Sequence, residues 1–453
     1  MSDLVHSLLF FLLALAILIA VHEFGHFWMA RRLGVKVLRF SIGFGRPLLR
    51  HQGKDGTVYV LAGIPLGGYV KMLDEREEAV DPALAHLAFN RQALWKRTAI
   101  VLAGPLLNLF FAIFLYWGIL VTGDIGSRAL IGTVSSGSIA AEAGLKAGDE
   151  LLQIGDRPTP TWETAVFALM AESLTGKDVP LRIRDADGDE VALFLDGKDL
   201  RTLPEDPAIL TNLGLAPARP LLPPRIGEVV TGEAAAVAGI LPGDLILSTD
   251  DKPIPTWDEW VKLVRDHPGQ MLRVRLVRGD QELELSLTPR RIRGADGEIG
   301  RVGAGVEVPE ALLAQYRAIV RLGPVDAAHA AITKTIDMGW LMLKVMGRML
   351  VGQASVDNLS GPISIAESAG HSASQGLNYF IKFLAVVSIS LGVLNLLPIP
   401  MLDGGYLLYF LFEAIKGGPL SEQVQMLGQR IGVAVLAALM SLAFYVDIQR
   451  LLN

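Results

Sequence analysis

The chain is 453 residues long, with 51% hydrophobic and only 19% charged residues, and its mean hydropathy is +0.41. A soluble protein carries about 25% charge, so this balance predicts membrane segments joined to soluble domains. Cysteine is absent and the net charge is −6. That excludes a disulfide scaffold, a thiol nucleophile, an iron–sulfur cluster and thiolate-held zinc, and gives no support to nucleic-acid binding.

The first apolar run, Leu4 to about Ala30, is long enough to cross a bilayer, which takes about 20 residues of helix. A cleavable signal peptide is the alternative, but the run lacks a basic start and an A-x-A exit. It also leads straight into Val21-His22-Glu23-Phe24-Gly25-His26. Positions i and i+4 share a helix face, so His22 and His26 can grip one zinc ion. Glu23, next to His22, is placed to act as general base toward water. Ionisable residues inside a spanning helix are costly and point to function. The competing explanation puts the motif at the interfacial end of the helix, where polar residues are cheap.

Residues 31–98 hold 12 Lys/Arg, whereas the tail before the first run has none. The excess of basic residues predicts a cytoplasmic 31–98, with the chain starting outside. The second run, Ala99 to Val121, then leads out. It contains Asn108, a candidate to face the same cavity as the histidines or to pack against a neighbouring helix. Residues 122 to about 375 follow outside.

This outer segment contains one repeat. Residues 141–162 align without gaps on 236–257, with 11 of 22 positions identical, among them Gly144/Gly239, Gly148/Gly243, Asp149/Asp244 and Trp162/Trp257. Two copies of one domain are expected rather than a solenoid. The glycines allow a tight turn, and the Asp caps it before a buried strand. This core resembles PDZ domains of the bacterial protease type, over 126–220 and 221–310. Such domains take an extended peptide at a sheet edge; the alternative is two steric spacers without a ligand. Ile131 and Ile226 are candidates to lie near a binding groove.

Over 311–375 the pattern predicts a helix at 325–351 and a loop. Lys334, Asp337, Lys344 and Arg348 share one side of the helical wheel, opposite Ile332, Ile336, Leu343 and Leu350. This reads as a helix lying at the membrane interface, with an ordinary packed helix as the alternative. The third run, Phe380 to Leu397, crosses inward, residues 398–430 are cytoplasmic, and the fourth run, Ile431 to Val446, crosses outward.

Two histidines leave a ligand to find, and without cysteine it must be His, Asp or Glu. Asp403 is the best candidate, in the stretch NLLPIPMLDGG (395–405). The first and third runs end on the same face, so His22, Glu23, His26 and Asp403 meet there even if the whole orientation were inverted. The alternative is that Asp403 caps a helix starting near Gly405 or makes an Asp-Gly turn. Pro398 and Pro400 break the span at bilayer depth, which is tolerated where backbone lines a cavity or is buried in protein. Asn395 offers an amide to a peptide backbone.

Taken together, HEFGH, NLLPIPMLDGG and the duplicated PDZ-like domains between runs two and three resemble the site-2 protease family of intramembrane zinc proteases. FSIGFG (40–45), PLGGYVKM (65–72) and LAGPLLN (102–108) belong to the same resemblance. It implies zinc ligands His22, His26 and Asp403, with Glu23 as general base. Asn395 and Pro398 would contact substrate. Gly67 and Gly68 would lie in a membrane re-entrant β-hairpin that clamps the substrate as a strand. The expected fold is a polytopic α-helical membrane protein with four transmembrane helices, this hairpin, and two inserted extracytoplasmic α+β PDZ domains. Its segments are a first helix at 1–30, a cytoplasmic 31–98 with the hairpin, a second helix at 99–121, and the two repeats. After the interfacial segment come a third helix at 376–403, a cytoplasmic helix and loop at 404–428, and a fourth helix at 429–453. The expected setting is the bacterial inner membrane, with periplasmic PDZ domains and an active site open toward the cytoplasm. Anti-sigma factors and signal-peptide remnants are the implied substrates, and the PDZ pair would admit only pre-trimmed ones. The rival function is a non-enzymatic membrane scaffold that displays PDZ domains for peptide ligands.

Overall fold

A computed structural model describes residues 3–77, 79–173, 175–200, 209–294, 297–350 and 361–452. The described chain divides into two compact units, one from residues up to 125 and from 319 onward, the other from 126 to 318.

The first unit is built on helices. Helix α1 (Asp3–Arg32) is a run of Leu, Ala, Ile and Phe that meets no glycine before Gly25 and ends on Arg31 and Arg32, cations that suit the negative end of the helix dipole. Strands β1 (Val37–Gln52) and β2 (Val58–Met72) follow. Helix α2 (Leu94–Thr122) contains Pro105. Helices α3 (Pro324–Leu350) and α4 (Pro362–Ser374) both start on proline, whose missing N–H costs nothing in a first turn. Then come α5 (Leu377–Leu396), α6 (Asp403–Lys416) and α7 (Glu422–Leu452). Helices α1, α2, α5 and α7 are long and apolar enough to cross a membrane.

Helix α2 is the centre of this unit. Its Ala112, Tyr116 and Ile119 pack with Ala327 and Ala331 of α3 and with Ala385 and Ile389 of α5. Small residues let these backbones approach closely. Helix α1 joins through Ala14 and Leu18, which meet Phe380 and Leu384 of α5. Polar ties fix the helix ends. Lys382 pairs with Asp124 and donates to the Ile125 carbonyl at 3.0 Å. Asp447 of α7 accepts from the backbone N–H groups of Gly361, Ile363 and Ser364, and so caps α4.

Two strands make more sheet than their number suggests. Segment 39–42 of β1 pairs on one side with 58–61 of β2 and on the other with 68–71 of the same strand, while 47–52 pairs with 58–62. Both strands fold back on themselves, so the order across the sheet is 68–72, 37–44, 58–62, 47–52. Among the described residues nothing pairs with 68–72 on its outer side, so these residues form an edge.

Two differences from the sequence reading stand out. The third span ends at Leu396, short of 403, because Pro398 lacks a donor and disfavours helix in the residue before it. The helix expected at 325–351 is α3, and it packs on α2 and α5 through Ala327, Ala331, Met338 and Met342. Ile332, Ile336 and Leu343 are left exposed. The side chain of Leu350 and residues 351–360 lie outside the described residues, as do residues 201–208 of the expected first PDZ span.

In the second unit the repeat becomes two copies of one α+β arrangement. The first has strands at Glu150–Ile154, Arg157–Pro158, Val179–Arg184 and Glu190–Leu195, and a helix at Trp162–Ser173. The second has strands at Leu245–Thr249, Lys252–Pro253, Leu272–Arg278 and Gln281–Leu287, and a helix at Trp257–Asp266. Both four-stranded sheets run in the order second, first, third, fourth. The turn chemistry is also shared, since Asp149 accepts from the Lys146 N–H at 2.8 Å and Asp244 from the Leu241 N–H at 2.9 Å. Ile131 and Ile226 are both buried in the cores of their copies.

Candidate metal centre

On α1, one helical turn separates His22 from His26 and sets their rings edge to face, with centroids 4.8 Å apart. The two Nε2 atoms lie 3.2 Å from each other. Asp403, the first residue of α6, completes the group: its Oδ2 is 3.2 Å from His22 Nε2 and its Oδ1 3.5 Å from His26 Nε2. Leu402 occupies the cap position of α6 and no side chain caps that end, so the Asp403 carboxylate serves the histidines instead of its own helix.

Several observations test whether these donors fit a metal. Tetrahedral zinc with bonds of 2.0–2.1 Å separates its ligand atoms by about 3.3 Å, close to the spacings here. Asp403 Oδ2 is buried without a hydrogen-bond donor, although two imidazoles face the carboxylate. An orphaned carboxylate oxygen opposite two ring nitrogens is what a cation resolves. His26 Nδ1 lies 2.9 Å from the Ile100 carbonyl. Donation of its N–H there leaves the Nε2 lone pair toward Asp403, the usual support of a ligating histidine. Space is kept by Gly104 on α2, where a Cβ would collide with His26 Nε2 and stand 2.9 Å from His22 Cε1. The residues fit zinc.

Comparison with known proteins agrees. Residues 10–439 match the model of peptidase family M50. The chain belongs to this family. It is 43% identical over 444 residues to the regulator of sigma-E protease RseP of Escherichia coli, covering 97% of this chain and 98% of that one. To the protease RseP of Yersinia pestis it is 42% identical over 459 residues, covering both chains in full. A Vibrio cholerae protein that carries a zinc metalloprotease name is 39% identical over 455 residues, again covering both. As an M50, or site-2 type, peptidase, the chain is a zinc-dependent metalloprotease of the membrane, which sets aside the scaffold without enzymatic activity.

Several of the other candidate residues surround this cluster. Glu23, next to His22, opens onto a cavity of about 640 Å³ that the cluster also lines, together with Asn395 and residues 68–72. The free edge of the hairpin sheet thus runs along the cavity wall. Gly68 touches Glu23 there: a Cβ would stand 2.8 Å from Glu23 Cγ. Gly67 lies just outside the cavity with φ of 148°, a value that favours glycine. Asn395 sits in the last turn of α5.

Two candidates stand apart. Pro398 is exposed and is not among the residues that line the cavity; its visible effect is to end α5. Asn108 is fully buried and lies behind His22, with its Nδ2 3.3 Å from His22 Nδ1. It does not face the cavity. The sequence reading missed Ile100 and gave Gly104 no role beyond its place in LAGPLLN; with Asn108 they recur every four residues on one face of α2. That spacing was the available signal, but it meant nothing until α2 was known to lie against the histidines. Met401 and Tyr406, also on the cavity wall, carried no sequence signal.

Proposed function

We propose that the chain hydrolyses peptide bonds within the transmembrane segments of single-span membrane proteins, with His22, His26 and Asp403 holding the zinc. The observation that carries this reading is the edge strand 68–72 beside the cluster and Glu23 in one cavity. A transmembrane helix hides its scissile bonds in its own hydrogen bonds, so a substrate must unwind before it can be cut. Pairing with a free strand edge stabilises the extended form and sets its register. The hairpin, acting as a re-entrant membrane element, offers that edge, and Asn395 holds the peptide backbone at the end of α5. Zinc at this centre supplies a Lewis acid and brings the pKa of water toward 7. Glu23 takes the proton of the attacking water and passes it to the leaving amine.

The setting is the bacterial inner membrane. The basic residues of 31–98 put the active-site end of α1 on the cytoplasmic side and the two repeats in the periplasm. As PDZ domains the repeats act as a size filter that admits substrates already trimmed outside. The relatives are named for regulation of sigma-E, which supports an anti-sigma factor as a substrate; signal-peptide remnants are a second class.

The test follows cleavage of a single-span anti-sigma substrate in cells by the parent and by Glu23→Gln. The expected result is loss of cleavage with zinc content intact. Unchanged cleavage sinks the role of Glu23, and a cut outside the transmembrane segment sinks the intramembrane reading.

A further inference from the structure

Both histidines turn Nε2 toward Asp403, so each Nδ1 needs a partner on its other side. For His26 it is the Ile100 carbonyl. For His22 it is the side chain of Asn108. Asn108 is fully buried and held in place, since Ser388 Oγ donates to its backbone carbonyl at 2.7 Å. Its Nδ2 faces His22 Nδ1, while its Oδ1 is buried without a hydrogen-bond partner. An imidazole that offers Nε2 to a metal carries its proton on Nδ1, and two donors cannot face each other. The oxygen and nitrogen of an amide are nearly equal in size. A half-turn of the Asn108 amide therefore brings the orphaned Oδ1 to Nδ1 without disturbing the packing.

We propose that Asn108 is a positioning residue for the metal centre: its Oδ1 accepts the Nδ1–H of His22 and so fixes the tautomer and ring plane that direct Nε2 to zinc. One face of α2 then serves both ligands. At four-residue intervals it presents the Ile100 carbonyl to His26, the bare Gly104 to both rings, and the Asn108 amide to His22. The packed rather than cavity-facing position of Asn108 follows from this role. The proposal rests on His22, His26 and Asp403 being the ligands.

The test reads zinc affinity rather than turnover. Full-length protein carrying Glu23→Gln is purified, and its zinc dissociation constant is measured by competition with a chelator, with and without changes at Asn108. Asn108→Leu and Asn108→Ala are expected to weaken zinc binding about 10–100-fold, the usual cost of removing the partner of a ligating histidine. Asn108→Asp, whose carboxylate can accept the same bond, is expected to stay near the parent. Asn108→Ala removes the amide without adding bulk at this fully buried position and decides the matter if the leucine variant does not fold. Parent-like zinc affinity in either amide-free variant overturns the proposal, even if thermal stability falls, because a packing residue would behave that way. An aspartate variant as weak as the alanine one also overturns it. His22→Ala on the same background separates the two levels: if it leaves zinc affinity unchanged, the ligand assignment fails instead.

Discussion

Gly68 and Glu23 are in such close contact that no side chain fits between them; a Cβ at 68 would stand 2.8 Å from Glu23 Cγ, 2.8 Å from the Ser41 carbonyl oxygen and 2.9 Å from Ile19 Cγ2. The strand edge and the proposed general base are therefore set by the same contact. Gly68→Ala must push one of them aside. A misplacement of about 1 Å costs roughly 10²-fold in rate, so cleavage should fall by that order while zinc content holds at one per chain. Single-turnover cleavage combined with metal analysis checks this, and a parent-like rate would show that the contact has no part in positioning.

A second glycine separates metal loss from rate loss. Gly104→Ala places a methyl group against His26 Nε2, so zinc content should drop well below that of the parent. Gly118→Ala, on the same helix, meets nothing within 4 Å and should retain both zinc and stability. Metal analysis of the two purified variants makes the comparison.

Helix α6 carries Asp403 at its start and Glu413 further along. Glu413 accepts from Arg97 of α2 at 2.5 and 3.1 Å, and the Arg97 guanidinium also lies over the Phe410 ring. Both side chains of the pair are largely buried. Removing one partner of such a pair leaves the other charge uncompensated, at a cost of about 3–5 kcal/mol. Glu413→Ala should lower stability by that amount in detergent unfolding, and weaken zinc binding as α6 loosens. Unchanged unfolding would show that the pair is not structural.

The repeats allow a prediction about pH. In the second copy, Asp244 is buried and accepts from Arg278 Nε and Nη2, both at 2.8 Å, and from the Leu241 N–H. Burial raises its pKa, but the bonds from Arg278 and Leu241 more than offset this and hold the carboxyl below its ordinary value of 3.8. A carboxyl depressed in the folded state stabilises above its unfolded pKa, and that stability is lost as pH falls through the folded pKa. The repeat unit should therefore lose stability as the pH falls below about 4. Asp244→Asn should be less stable at neutral pH and show a flatter acid limb. Thermal unfolding between pH 3 and 7 checks this, and identical acid limbs would remove Asp244 as their cause.

Features that depend on neighbouring residues were legible in the chain. A turn of helix places His22 over His26 wherever the helix goes, and a hydrophobic run of sufficient length is evident without its neighbours. The duplicated turn chemistry at Asp149 and Asp244 is local in the same sense. Asp403 was within reach because the parity of crossings restricts which residues share a membrane face. The full burial of Ile131 and Ile226 was not legible, because a strand of alternating residues does not announce which face is covered. The helix at Pro324–Leu350 showed its two sides, but not that its small residues and methionines would be the ones to meet α2 and α5.

By itself, the amino-acid sequence determined the donor types, the spacing of the histidines, the four apolar runs and the repeat, since these rest on local chemistry and on the absence of cysteine. Tertiary structure alone decided the rest. It doubled each hairpin strand back so that residues 68–72 became a free edge beside Glu23. It also laid α2 against α1 so closely that Ile100, Gly104 and Asn108 became the backing of the two histidines. Both outcomes depend on backbone approach between segments far apart in the chain, and no single segment carries that information.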